Sequence, residues 1–165
     1  MKYAIVFSSQ TGNTRQLAEA VRTSLPQADC LYFGPPCEQA LEAGMLYVGF
    51  WTDKGTCDAQ TAAFLRTVGA RRLFLFGTAG FGGSQAYYER ILANVRKELS
   101  GEALLCGTYM CQGKMPPSVR RRYEALENMP NRQAFLDNFD RAATHPDAQD
   151  VERLLAVLPG PHQEG

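Results

Sequence analysis

Short apolar runs alternate with segments of helical period along most of the chain. Residues 3–8, 29–33, 45–50, 73–77 and 103–111 are mostly apolar stretches, and each reads as a strand. Between them, residues 13–25, 58–68 and 84–99 read as helices with one apolar face. Asp58 stands at a capping position, and Ala62, Phe64, Leu65 and Val68 share the apolar side of the helix that follows. Gly34, Pro35 and Pro36 stop the second strand. Continuous apolar strands separated by helices predict a parallel sheet covered on both faces, with right-handed connections.

Beyond residue 111 the pattern changes. Residues 112–146 carry Pro116, Pro117, Pro130 and Pro146, with charged helical pieces near 118–126 and 132–141. Residues 147–158 then read as a closing helix, with Val151, Leu154, Leu155 and Leu158 at core spacing. Residues 160–165 read as a polar tail. A length of 165 residues implies one domain, here with a Pro-rich helical insertion at about 112–146. Arg120, Arg121 and Arg122 read first as a solvated helix face and second as a docking patch.

The sharpest change of character falls at the end of the first strand. Ile5, Val6 and Phe7 give way at once to Ser8, Ser9, Gln10, Thr11, Gly12, Asn13 and Thr14, and a helical pattern begins. A helix start points unpaired N–H groups outward and carries partial positive charge, which suits a phosphate. Ser9, Thr11, Asn13 and Thr14 add side-chain donors, and the lysine of a P-loop is missing. The plain alternative is a capped helix after a strand.

This run resembles the phosphate-binding loop of the flavodoxin family, which holds flavin mononucleotide (FMN). Ile5, Val6, Phe7, Ser9, Gly12, Thr14, Ala18 and Val21 satisfy every constrained position of that family's pattern. The resemblance covers roughly residues 1–111 and the closing helix. It implies an α/β fold, a flavodoxin-like doubly wound sheet of five parallel strands in the order 2-1-3-4-5.

Ligands of such sheets sit at the carboxyl ends of the strands, where strand order reverses. Three loops converge there: residues 9–13, residues 51–57 and residues 78–84. The resemblance implies FMN contacts from Ser9, Gln10, Thr11, Gly12, Asn13 and Thr14 in the first loop. It implies Trp51, Thr52, Lys54 and Gly55 in the second, and Thr78, Ala79, Gly80, Phe81 and Gly82 in the third. Trp51, the only tryptophan, falls just past a strand end, where it either flanks the flavin ring or packs on the rim. Phe81 is the second aromatic candidate. Gly55, Gly80, Gly82 and Gly83 allow close backbone approach, and a peptide beside Gly55 is expected to reorient on reduction. Lys54 would favour an anionic reduced ring; otherwise it is a solvated lysine.

Lysine plus arginine and aspartate plus glutamate number 17 each, so no net field draws nucleic acid or an acidic membrane. Cys30, Cys37, Cys57, Cys106 and Cys111 show no paired spacing, and His145 and His162 lie far from them, so no metal is expected. Cys57 and Cys111 read as small buried residues or as redox thiols. The start reads directly into a strand without a leader, and a reducing cytoplasm is expected. The glycine cluster after residue 79 fails the dinucleotide fingerprint, and no Ser-His-Asp set is plausible.

The stretches Gly49–Thr56 and Cys111–Met115 resemble a small bacterial flavodoxin-like subfamily. Some of its members are thought to support bilirubin reductases. That implies an electron carrier with a partner oxidoreductase. Two alternatives stay open: a stand-alone FMN-dependent reductase roofed by the 112–146 insertion, and a flavin-free interaction module.

Overall fold

The computed structural model describes residues 1–82 and 84–162. Gly83 and residues 163–165 of the expected polar tail lie outside them.

Five parallel strands form the sheet: β1 (Tyr3–Phe7), β2 (Cys30–Gly34), β3 (Met45–Asp53), β5 (Arg72–Ala79) and β6 (Leu104–Gln112). Their order is β2-β1-β3-β5-β6, so the expected order holds, with a short added strand β4 (Thr56–Cys57) paired antiparallel to β3. Strand residues alternate between two cores. Tyr3, Ile5, Tyr47 and Phe76 pack with α1 (Asn13–Ser24) and α6 (Ala148–Val157). Val6, Val48, Phe50 and Leu75 pack with α2 (Ala59–Leu65) and α3 (Gln85–Arg96). The remaining helices, α4 (Pro117–Ala125) and α5 (Arg132–Ala142), lie between β6 and α6 in the chain.

Local chemistry explains the boundaries. Asp58 accepts from the Thr61 N–H, Ser84 from the Tyr87 N–H, and Asp147 and Asp150 close a reciprocal capping box. Two strands run past their expected ends. β3 continues through Trp51 to Asp53, and β5 continues to Ala79, so Trp51, Thr78 and Ala79 stand in strands instead of loops. Parallel pairing of Trp51 with Thr78 carries both on. Lys54 and Gly55, at φ 52° and φ 82°, then close a two-residue hairpin into β4.

Beside the site, β3 and β5 place glycine opposite phenylalanine twice over: Gly49 faces Phe76, and Phe50 faces Gly77. A β-carbon on Gly77 would stand 2.3 Å from the Phe50 ring, and one on Gly49 2.5 Å from the Phe76 ring. Each ring therefore lies flat over its neighbouring strand. Gly49 also admits Thr14, whose methyl would be 2.8 Å from that added carbon, and this brings α1 close to β3. Among the described residues, no helix is long and apolar enough to cross a membrane.

Candidate functional site

The Ser8 N–H extends the β1 ladder by donating to the Gly49 carbonyl at 3.1 Å. The chain enters α1 through Gly12, which is left-handed at φ 88° and supplies no side-chain cap. A β-carbon there would meet nothing within 4 Å, so glycine is needed for its conformation, not for space. Ser9 Oγ accepts from the Arg15 N–H at 3.4 Å. Ser9 thus caps one N–H of the first turn and Gly12 caps none, which leaves the helix start as a seat for an anion.

The side chains of this turn point different ways. Thr14 is fully buried; its hydroxyl donates to the Phe50 carbonyl at 3.1 Å and lies 3.3 Å from Thr78 Oγ1. It ties the turn to β3 and β5. Thr11 Oγ1 and Asn13 Nδ2 both donate to the Lys114 carbonyl, at 3.2 Å and 2.8 Å. Ser9, Gln10 and Gly12 are exposed.

Gln10, Thr11 and Asn13 border a cavity of about 70 Å³ with Trp51, Thr52, Thr78, Ala79 and Gly80. Lys114, Met115 and Pro116 close it from the far side. Two buried polar atoms on its lining residues, Asn13 Oδ1 and Thr52 Oγ1, have no hydrogen-bond partner. Buried polar groups are rarely left so, and an unmet pair at a strand-end crevice points to a ligand. Lys54 and Gly55 sit nearby on the hairpin turn. Lys54 is exposed, and the Gly55 carbonyl accepts from Asn94 Nδ2 at 2.9 Å.

The loop after β5 is engaged by the insertion. Gly80's carbonyl accepts from Gln112 Nε2 at 3.0 Å and from Asn138 Nδ2 at 3.1 Å. Phe81 is 37% exposed, and its ring meets Phe135 edge-on at 5.7 Å; Tyr123 stacks on Phe135 in turn at 5.4 Å. A β-carbon on Gly80 would run into Met115, and one on Gly82 into Gln112. The segment 113–115 is held from three sides. Gly113 N–H donates to Ala79 at 2.9 Å, Lys114 N–H donates to His145 at 3.0 Å, and Thr11 and Asn13 take the Lys114 carbonyl.

A second and larger cavity, about 570 Å³, opens on the other side of the same turn. Ser9 and Gly12 line this one, together with Phe7, Arg15, Phe33 and Gln60.

Both cysteines at the carboxyl edge are buried. Burial pushes the Cys57 thiol up to about 11 and raises Cys111 further, with the charges of Asp150 and Asp147 adding to the latter. Both therefore stay protonated near neutrality and act as packing residues. His145, Asp147 and Asp150 hold potential ligand atoms within 4.8 Å of one another. Hydrogen bonds account for the cluster: Asp150 Oδ2 accepts from the Asp147 N–H at 2.9 Å and lies 2.6 Å from His145 Nδ1.

Sequence patterns pointed to the three loops and singled out Cys111–Met115 as a motif without placing it at the site, and they missed Asn138. The signal available for placing the motif was Gly113, a buried glycine directly after a strand, where a β-carbon would fall 2.4 Å from Asn13 Nδ2.

Known proteins agree with this architecture. The chain is 44% identical over 179 residues to the flavodoxin-like domain-containing protein BilS of Clostridium symbiosum (strain WAL-14163), covering 96% of this chain and 94% of that protein. BilS of Clostridioides difficile (strain CD3) is 25% identical over 162 residues, covering 92% and 90%. Among solved structures, a flavoprotein in complex with FMN from Lactobacillus acidophilus NCFM superimposes with a TM-score of 0.51 at 11% identity. That overlay covers 67% of this chain and 93% of the other, and it speaks to fold alone. Residues 4–158 match the flavodoxin domain as a family. With the strand order, the left-handed glycine turn into α1 and these relatives in agreement, the chain belongs to the flavodoxin domain family.

Proposed function

We propose that this chain is an FMN-binding electron-transfer protein that passes electrons to a partner oxidoreductase of the bilirubin-reducing type. The observation that carries the reading is the pair of unsatisfied buried atoms, Asn13 Oδ1 and Thr52 Oγ1, beside a helix start whose N-cap residue, Gly12, supplies no side-chain cap. Family membership, the BilS relatives and the FMN in the L. acidophilus flavoprotein support it. So does the resemblance of Gly49–Thr56 and Cys111–Met115 to the subfamily associated with bilirubin reduction. Five free cysteines fit a reducing cytoplasm.

The residues divide the work. The N–H groups at the start of α1, with the hydroxyls of Ser9 and Thr11, would hold the phosphate. Trp51 and Thr52 would meet the ring from β3, and Lys54 would bias its charge. Asn94, through the Gly55 carbonyl, restrains the hairpin peptide next to it. Thr14 keeps the turn in register with β3 and β5. When bound, FMN would supply the redox chemistry, and the protein binds, orients and tunes it. A cavity of about 70 Å³ is far smaller than the ~300–1,000 Å³ of typical ligand pockets, so Lys114–Pro116 has to move outward on loading.

Adding FMN to the purified chain tests this directly. Trp51, the sole tryptophan, should be quenched. At a hundredfold excess over Kd, stability should rise by ~2.7 kcal/mol. An unquenched Trp51 with an unmoved melting curve would sink the proposal. Electron transfer from the reduced, loaded chain to a bilirubin-type reductase tests the partner.

A further inference from the structure

The larger cavity beside the turn is lined by no residue of 51–55 or 78–82. It lies over the carboxyl ends of β1 and β2, away from Trp51, and shares only Ser9 and Gly12 of the expected FMN residues. One wall is aromatic: Phe7 and Phe33 lie with ring centroids 5.0 Å apart, and Pro35 continues that surface. Another wall is cationic. The Arg15 guanidinium stands 5.9 Å from the Phe7 ring centroid, and its only ion-pair partner among the described residues is the exposed Glu19, at 3.0 Å. Such a surface pair is worth little and is readily exchanged for a stronger anion. The third wall is polar, where Ser8 Oγ donates to Gln60 Oε1 at 3.4 Å. The start of α1 borders the cavity at Gly12, so its positive end serves this side as well.

An aromatic wall, a fork-shaped cation and an amide within about 570 Å³ match a flat heterocycle carrying a phosphate. We propose that this cavity is a nucleotide subsite that takes a nucleoside monophosphate group, next to the FMN phosphate seat and distinct from it. The group arrives either as free nucleotide or as the adenylate half of a flavin dinucleotide. In the second form the two phosphates lie side by side across the turn, the adenylate one beside Arg15. Only that second form rests on the FMN reading.

Two titrations, on the intact chain and on Arg15→Gln, Gln60→Ala and Phe33→Leu, decide the matter. AMP is titrated onto the FMN-loaded protein, and onto the unloaded protein, by calorimetry. FAD and FMN affinities are compared by quenching of Trp51. Saturable AMP binding that leaves FMN in place, weakened at least tenfold by Arg15→Gln, supports the subsite for a free nucleotide. FAD binding at least tenfold tighter than FMN, with that margin erased by the same variants and FMN affinity unchanged, supports it for the dinucleotide. Phe33→Leu separates an aromatic wall from a generic apolar one, since it keeps bulk and removes the ring. The subsite is overturned if AMP fails to bind at millimolar concentration and FAD is no tighter than FMN. It is equally overturned if AMP expels FMN, or if the variants weaken FMN and FAD alike. Should FMN itself not bind, AMP binding to the unloaded chain still decides the subsite, and the two failures are told apart.

Discussion

β1 and α4 stand at opposite extremes of burial. Every residue of β1 is buried, whereas α4 buries none. The strand is locked by neighbours on both sides and a core on both faces. The helix is fastened mainly to α5, through Arg120 with Asp140, through Arg132 donating to the Glu124 carbonyl, and through Tyr123 against Phe135. The insertion meets the loops at the site: Asn138 donates to the Gly80 carbonyl, Phe135 packs on Phe81, and the Lys114 carbonyl accepts from Thr11 and Asn13. The sheet carries the core, and the insertion lines one side of the crevice.

The largest effect should come from the sheet. Gly77→Ala forces a carbon into the Phe50 ring and should cost about 3 kcal/mol, a fall in Tm of about 6–12 °C by calorimetry. Phe50→Leu in that background should recover part of the loss, a coupling that a double-mutant cycle reads. Equal losses from Gly77→Ala and from any α4 substitution would erase the contrast.

Asn138→Leu comes next. It removes one of two donors to the Gly80 carbonyl and strands Gln112 Nε2 from Asn138 Oδ1, at a cost of about 1–2 kcal/mol. With the clasp loosened, FMN should associate faster in stopped-flow quenching of Trp51. A slower or unchanged rate would mean that the insertion does not govern access.

The pH dependence at the start of α6 is smaller. Asp147 accepts from the Asp150 N–H, and that bond, helped by nearby His145, holds its carboxyl below the ordinary 3.8. Its pKa is depressed on folding, so its contribution is complete above pH ~4 and is lost as pH falls through the lowered value. Asp147→Asn should flatten that acid limb of the stability curve, measured by denaturant unfolding between pH 5 and 2.

Arg121→Ala should do least. Arg121 is exposed on a helix without a buried residue, and stability should stay within about 0.5 kcal/mol.

The two regions also differed in how far sequence alone could read them. The β1–α1 turn was plain because everything that makes it is local: an apolar run, a glycine and a helical period within a few residues. The caps at Asp58, Ser84 and Asp147 are equally local. Strand ends were not, because Trp51 stays in β3 only through its pairing with Thr78, a tertiary event. The clasp on Gly80 was invisible for the same reason: its donors lie 32 and 58 residues away, with no local signal that pairs them with it. Phe81 read as a ring-flanking aromatic, and the structure sets it against Phe135.

The carbonyl of Lys114 has a kinetic consequence. By sitting on Thr11 and Asn13 it acts as a built-in placeholder, sparing those two donors an unmet state before any phosphate arrives. On the proposed reading, an incoming FMN would wait for this stopper to lift. Its apparent affinity would be scaled down by the open fraction, and at high concentration its capture rate would level off at the speed of lifting.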